Sequence, residues 1–213
     1  MFIPLVDSLR CVAGHEETWL VASIDQAEER DIRHGFLGCP ICYAEYPIRD
    51  GIVYFGVDPA RATPLPMSQH APADDDALRL AAALDLTDPR MVAVLHGAWG
   101  ALAPVIRGYS PAHLLLVNPP AGIASGDGVS VVRTASVAPI GRGTMDAVAL
   151  DADAFEGLIA SLIVTVRGGG RIAGPIELSL PGDTTQLTRD DRLWVAERSA
   201  EATSPLVALR RAR

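Results

Sequence analysis

The chain has 213 residues, 49% of them hydrophobic, and a formal net charge of −8. That is enough apolar material for a buried core and too little charge for disorder. All 18 basic residues are arginines, which excludes a P-loop lysine, a Schiff-base nucleophile and a lysine general base. The acidic balance argues against free nucleic acid as a direct ligand, because phosphate recognition requires a basic face. The N-terminus lacks the basic start, apolar run and small-residue cleavage site of a signal peptide. The longest mostly apolar run, 91–106, is interrupted by His96, Gly97, Gly100 and Pro104, so no membrane span is expected. Three cysteines fit a reducing cytoplasm better than a disulfide framework.

In chain order, the first informative residues are Cys11 and His15, a Cys-x3-His pair. The next are Cys39-Pro40-Ile41-Cys42, a knuckle that aims two sulfurs at one point and is stiffened by the fixed φ of Pro40. The β-rich run that follows, ending in Ile52-Val53-Tyr54-Phe55, reads as a strand leaving the knuckle. A knuckle needs further ligands, and Cys11 is the one remaining cysteine. Cys11, His15, Cys39 and Cys42 thus make a four-ligand set for tetrahedral zinc, with His34 competing with His15 for the fourth position. A thioredoxin-type redox pair fits less well, since such a pair opens a helix and this one leads into Tyr46-Pro47 and a strand.

Residues 5–11, the stretch Leu37-Gly38-Cys39-Pro40-Ile41-Cys42 and the run Tyr46-Pro47-Ile48-Arg49-Asp50-Gly51-Ile52 together resemble the zinc-ribbon family that activates tRNA and protein methyltransferases. The likeness covers roughly residues 2–57. It implies a small zinc-binding β-module that works by docking on an enzyme. This chain departs from the family in the first knuckle, where a second cysteine is usual three positions on. Here that position is Gly14, with His15 beside it.

Residues 58–76 carry Pro59, Pro64, Pro66 and Pro72 and read as a linker. Asp74-Asp75-Asp76 reads as the negatively charged opening of a helix over 77–84, with a metal cluster as the competing reading. Strands are then expected at 91–95, 113–117, 129–132, 147–150, 170–173 and 193–197, and helices at 101–107 and 154–167. Strands that are apolar throughout and separated by helices imply a parallel sheet covered on both faces. Trp19 and Trp194 read as packing residues, and the arginine-rich tail, within 200–213, as solvated.

The order of elements over 77–199 resembles the Rossmann-type fold of S-adenosylmethionine-dependent methyltransferases. The residues that carry the likeness are Ala83-Leu84-Asp85-Leu86 leading into Val94-Leu95, then Met145-Asp146-Ala147-Val148, and Val166-Arg167-Gly168-Gly169-Gly170-Arg171-Ile172. The last of these is similar to a helix end and glycine turn before a fifth strand. The resemblance places the cofactor at His96, Gly97, Ala98 and Gly100, and the ribose at Asn118. Several of these positions depart from the pattern: His96 stands where an acid is usual, Ala98 and Leu102 replace glycines, and Trp99 adds a large ring. Asn118 is neutral where a carboxylate would accept two ribose hydrogen bonds, and Pro119-Pro120 follow it. Asp151 and Asp153 lie on the substrate side in the resembled enzymes, with a helix N-cap as the alternative for Asp153.

The expected fold is therefore α/β: a zinc ribbon at 1–57, a linker at 58–76 and a reduced Rossmann-like, mostly parallel sheet with flanking helices at 77–199. Two functions follow. One is a non-catalytic or regulatory protein with a degenerate cofactor motif, acting on a protein partner or as a homodimer. The other is an active S-adenosylmethionine-dependent methyltransferase with a built-in zinc-ribbon activator. Zinc is the expected metal, and S-adenosylmethionine the expected cofactor of the second reading.

Overall fold

The structure is a computed structural model that describes residues 1–60, 74–153 and 155–200. Pro64, Pro66 and Pro72 of the expected linker and the arginines of the tail lie outside the described residues. A short 3-10 helix, Ile3–Ser8, precedes four strands: β1 (Val21–Glu28), β2 (Asp31–Gly38), β3 (Glu45–Arg49) and β4 (Ile52–Phe55). Then come α1 (Asp74–Leu84), β5 (Val92–His96), a 3-10 turn (Gly97–Leu102), α2 (Ala103–Arg107), β6 (His113–Val117) and β7 (Val129–Thr134). The chain continues through β8 (Met145–Ala149), α3 (Glu156–Thr165), β9 (Val166–Pro175), β10 (Thr184–Arg189) and β11 (Leu193–Arg198).

Among the described residues, the eleven strands form one sheet in the order β1-β2-β3-β4-β7-β6-β5-β8-β9-β11-β10. The centre is parallel, from β4 through β7, β6, β5 and β8 to β9. The two flanks are antiparallel: β1 to β4 form a meander, and β11 runs against both β9 and β10. The expectation of a mostly parallel sheet is corrected here: the sheet is mixed, and β1 to β4 of the N-terminal segment continue it. The join is β4 on β7, with Ile52 opposite Val131 and Phe55 opposite Thr134. This pairing satisfies the edge that β7 would otherwise expose.

The central strands carry uninterrupted apolar runs because both of their faces are buried. In β6, Leu115 and Val117 face one core cluster, while Leu114 and Leu116 face the other. The second cluster is covered by α1, the 3-10 turn and α2 through Leu80, Leu84, Leu102 and Ile106. The first is covered by α3 through Leu158 and Leu162, and by Leu5, Val6, Leu9, Tyr46 and Phe55 of the N-terminal segment. Residues 135–144 between β7 and β8 contain no helix, and a right-handed crossover there would lie on the α3 face, so the N-terminal segment supplies apolar cover where that helix is absent. Each such fully buried large side chain contributes about 1.5–3 kcal/mol relative to exposure.

Three local expectations are corrected. The helix expected over 154–167 is α3, Glu156–Thr165, and it passes directly into β9 without a glycine turn. Met145 pairs with Val166 and Ala147 with Arg171, so residues 167–170 bulge out opposite Asp146. Gly170 is required there, because a Cβ would lie 2.6 Å from the Asp146 carbonyl oxygen. The single strand expected after the knuckle is the hairpin β3–β4, turned at Asp50-Gly51 with φ of 50° and 79°. Finally, Trp194 is fully buried but Trp19 is 61% exposed, its ring lying under the Arg10 guanidinium at 3.3 Å. Among the described residues no helix is long and apolar enough to cross a membrane.

Candidate functional site

Two places gather the chemistry-bearing residues. The first lies between the N-terminal loop and the β2–β3 turn. The ligand atoms of Cys11, His15, Cys39 and Cys42 all fall within 4.8 Å of one another. Cys11 Sγ is 3.7 Å from Cys42 Sγ, and Cys39 Sγ is 3.4 Å from His15 Nε2. Sulfurs held ~2.3 Å from a tetrahedral zinc are ~3.8 Å apart, so the donor set and its spacing fit the metal. His34 is not among these residues; its ring sits on β2, 3.6 Å from Asp50.

The local backbone prepares this set. The chain reverses over Cys39–Cys42, where the Tyr43 N–H closes on the Cys39 carbonyl at 3.0 Å and Tyr43 takes a φ of 59°. Burial works against a charged Cys39 sulfur, yet N–H groups of Cys42 and Ile41 aimed at it outweigh this and bring its pKa down from 9.0 to about 6. A lowered thiol pKa favours the thiolate that a metal requires. His15 is oriented by its Nδ1, 2.7 Å from the Glu16 carbonyl. That bond leaves Nε2 as the free lone pair facing the sulfurs. Cys11 accepts the Ala13 N–H at 3.4 Å and lies 3.0 Å from the Tyr46 hydroxyl.

The second place is the C-terminal end of the parallel strands. Counted from β5, the order β7-β6-β5-β8-β9 reverses direction at β5, and in open α/β sheets ligands bind outside the strand ends at such a point. The turn after β5 is packed with the chain's own side chains. Gly97 has a φ of 60°, and a Cβ there would overlap the Asp151 carboxylate. Asp151 Oδ2 accepts the Ala98 N–H at 2.6 Å, and His96 Nδ1 accepts the Asp151 N–H at 3.3 Å. His96 is buried, and burial holds its pKa below the usual value against the pull of the Asp151 carboxylate. Trp99 donates its indole N–H to the Leu150 carbonyl at 2.9 Å.

Across the cleft, Asn118 has both amide atoms engaged: Nδ2 donates to the Thr134 carbonyl at 2.9 Å, and Oδ1 accepts the Thr134 N–H at 2.9 Å. The Pro119 carbonyl is held by Arg133. Gly100 abuts this loop, and a Cβ on it would lie 2.7 Å from Pro119 Cβ. His96, Gly97, Ala98 and Gly100 are thus gathered around one turn, while Asn118 points into β7. Asp153 does not cap α3; the N-cap is Phe155, and the Asp153 N–H bonds to Asp151 at 3.2 Å.

Sequence reasoning missed a cavity of about 390 Å³ beside this turn, lined by Trp99, Asp151, Asp153, Glu177, Asp191 and the Asp76–Arg192 pair among others. Arg192 holds Asp76 through two bonds of 2.8 and 3.1 Å. The signal was weak, because Asp76, Trp99, Asp151 and Asp191 come from four separate segments with no common spacing.

No family model matches this chain. No curated protein matches it either. Among solved structures, a geranyl diphosphate methyltransferase in complex with SAM is similar at 16% identity and a TM-score of 0.38, covering 47% of this chain and 48% of that one. The MycE methyltransferase of the mycinamycin biosynthetic pathway, in complex with Mg, SAH and mycinamycin VI, is similar at 11% identity and a TM-score of 0.40, covering 62% and 50%. A 1,6-didemethyltoxoflavin-N1-methyltransferase from Burkholderia thailandensis is similar at 16% identity and a TM-score of 0.35, covering 60% of each chain. This chain spans about half of the first two enzymes. At these identities and scores nothing about its chemistry follows from the likeness.

Proposed function

We propose that this chain is a non-catalytic interaction protein. In this reading a zinc-stabilised N-terminal module, 1–57, is built onto a methyltransferase-like sheet, 77–199, whose cofactor cleft is closed. The observation that carries the reading is the state of the polar groups at the strand ends. The Ala98 N–H, which a bound nucleoside or amino-acid moiety would need, is bonded to Asp151 at 2.6 Å, and the Asn118 amide is taken up by Thr134. Opening that cleft means breaking a charge-assisted hydrogen bond of about 1.5–3 kcal/mol between half-buried groups.

Zinc would be held by Cys11, His15, Cys39 and Cys42, a closed set with no position for substrate, and would supply folding energy rather than catalysis. A protein partner or a second copy has a surface to use at the free edge of β1. Trp19, Val21 and Ile24 are exposed on or just before β1, and Ile41 and Tyr43 in the β2–β3 turn, and an edge strand without a partner among the described residues is a template for association.

A second reading is favoured by one observation, the cavity of about 390 Å³ beside Trp99. Its size is that of a small-molecule site, and its carboxylates suit a cationic sulfonium. Under that reading the chain is an S-adenosylmethionine-dependent methyltransferase with variant contacts. Calorimetry with S-adenosylmethionine and S-adenosylhomocysteine separates the two. Silence at millimolar ligand is expected, and micromolar binding of either compound overturns the non-catalytic reading.

A further inference from the structure

The two halves of the cysteine cluster are built unequally. Cys39 receives the backbone N–H groups of Ile41 and Cys42, the arrangement a Cys-x2-Cys turn provides. Cys11 begins a Cys-x3-His segment, a different turn. It receives a single backbone N–H, that of Ala13 at 3.4 Å, and, from another element, the hydroxyl of Tyr46 at 3.0 Å.

Tyr46 is positioned for this contact by the fold. It is only 5% exposed, and its ring packs on Phe55 with centroids 4.6 Å apart. Its Oη also accepts the Val12 N–H at 3.3 Å, which ties the hydroxyl to the backbone next to Cys11. Once Cys11 is a thiolate it has no proton to give, so the polarity of the pair is fixed: the hydroxyl donates and the sulfur accepts. Three thiolates and a neutral histidine around a divalent ion leave a net charge of −1. A donor to one sulfur offsets part of that excess.

We propose that Tyr46 is a positioning residue of the metal centre. It replaces the second N–H that a Cys-x2-Cys knuckle would have supplied to Cys11, and it couples the centre to β4 and through it to the parallel sheet. The inference rests on the zinc reading above. It assigns a role to the first residue of the Tyr46-Pro47-Ile48 run that the ligand set alone leaves without one.

The test is Tyr46→Phe, which keeps the ring and removes the hydroxyl. Zinc affinity, measured by competition with a chromophoric chelator, should fall about 10-fold or more. In the cobalt-loaded protein the sulfur-to-metal charge-transfer band should shift. Val132→Ala opens a hole in the same core cluster away from the Tyr46–Phe55 stack. It should lower the melting temperature while leaving the affinity and the band unchanged, which a merely structural role for Tyr46 would not produce. Should Tyr46→Phe fail to fold, cobalt-loaded wild-type chain grown with ring-fluorinated tyrosine, a stronger donor, must show a shifted band. A wild type that binds zinc, with Tyr46→Phe equal to it in affinity and spectrum, overturns the role of Tyr46. A wild type that binds neither metal overturns the zinc reading instead.

Discussion

The cysteine cluster and the turn after β5 are both tight loops at strand ends with convergent polar groups, yet they are finished in opposite ways. In the cluster, backbone N–H groups and Tyr46 point at sulfurs whose lone pairs converge on a common centre. In the β5 turn, the Ala98 N–H and the Trp99 indole N–H are already bonded to Asp151 and Leu150, and across the cleft the Asn118 amide donates to Thr134. Convergent donor atoms without a proton to share call for an ion, whereas the carboxylate brought onto the β5 turn from the end of β8 satisfies a donor from within the chain. The comparison turns on whether the polar groups at a strand end are left to be satisfied from outside.

The largest effect expected from this contrast is at the metal. Elemental analysis should find about one zinc per chain, and Cys39→Ser should release it. Because Cys39 belongs to the core cluster that runs beneath the whole sheet, the loss should be felt by the entire chain. A loss of even ~4 kcal/mol lowers the melting temperature of a protein this size by ~8–16 °C. Zinc-free protein with an unchanged melting curve would erase the contrast. Asp151→Ala tests the other side. It should destabilise by about 1.5–3 kcal/mol in urea titration, since the Ala98 N–H loses a charged acceptor, and it should not create cofactor binding. Micromolar S-adenosylmethionine binding by this variant would mean that Asp151 merely plugs a working pocket.

Asn118→Asp sharpens the point at the ribose position. It restores the acid that the resembled enzymes use, yet places a carboxylate against the Thr134 carbonyl. A loss of about 1–3 kcal/mol and continued silence in calorimetry are expected. A gain of S-adenosylhomocysteine affinity would show that the side chain turns outward.

The smallest effect concerns the seam between the two regions, where the Phe2 ring stacks on His113 with centroids 4.5 Å apart. His113 is pushed down from 6.5 to about 4, first by burial and then by the Arg107 guanidinium and the N-terminal amine. With its folded pKa below the unfolded one, the unfolded chain binds the proton first as pH falls. Stability is therefore lost between pH 6.5 and about 4. His113→Gln should flatten that part of the pH dependence in urea titrations, and an unaltered slope would show that the seam does not discriminate against charge.

By itself the sequence determined the features that depend on local chemistry. Apolar runs such as 113–117 announced strands buried on both faces, and Cys39-Pro40-Ile41-Cys42 announced a knuckle. It also set Ala98 and Leu102 where the resembled enzymes carry glycines. The tertiary structure decided what depends on residues distant in the chain. It selected His15 over His34, because β2 carries His34 to Asp50. It joined β4 to β7 in one mixed sheet, placed Trp19 on the surface and fitted the glycines of 168–170 into a bulge of β9. It brought Asp151 onto Gly97 and Thr134 onto Asn118. The physical reason is that spacing fixes what a segment can form, while hydrogen-bond partners and burial are set by whichever segments the sheet order makes neighbours.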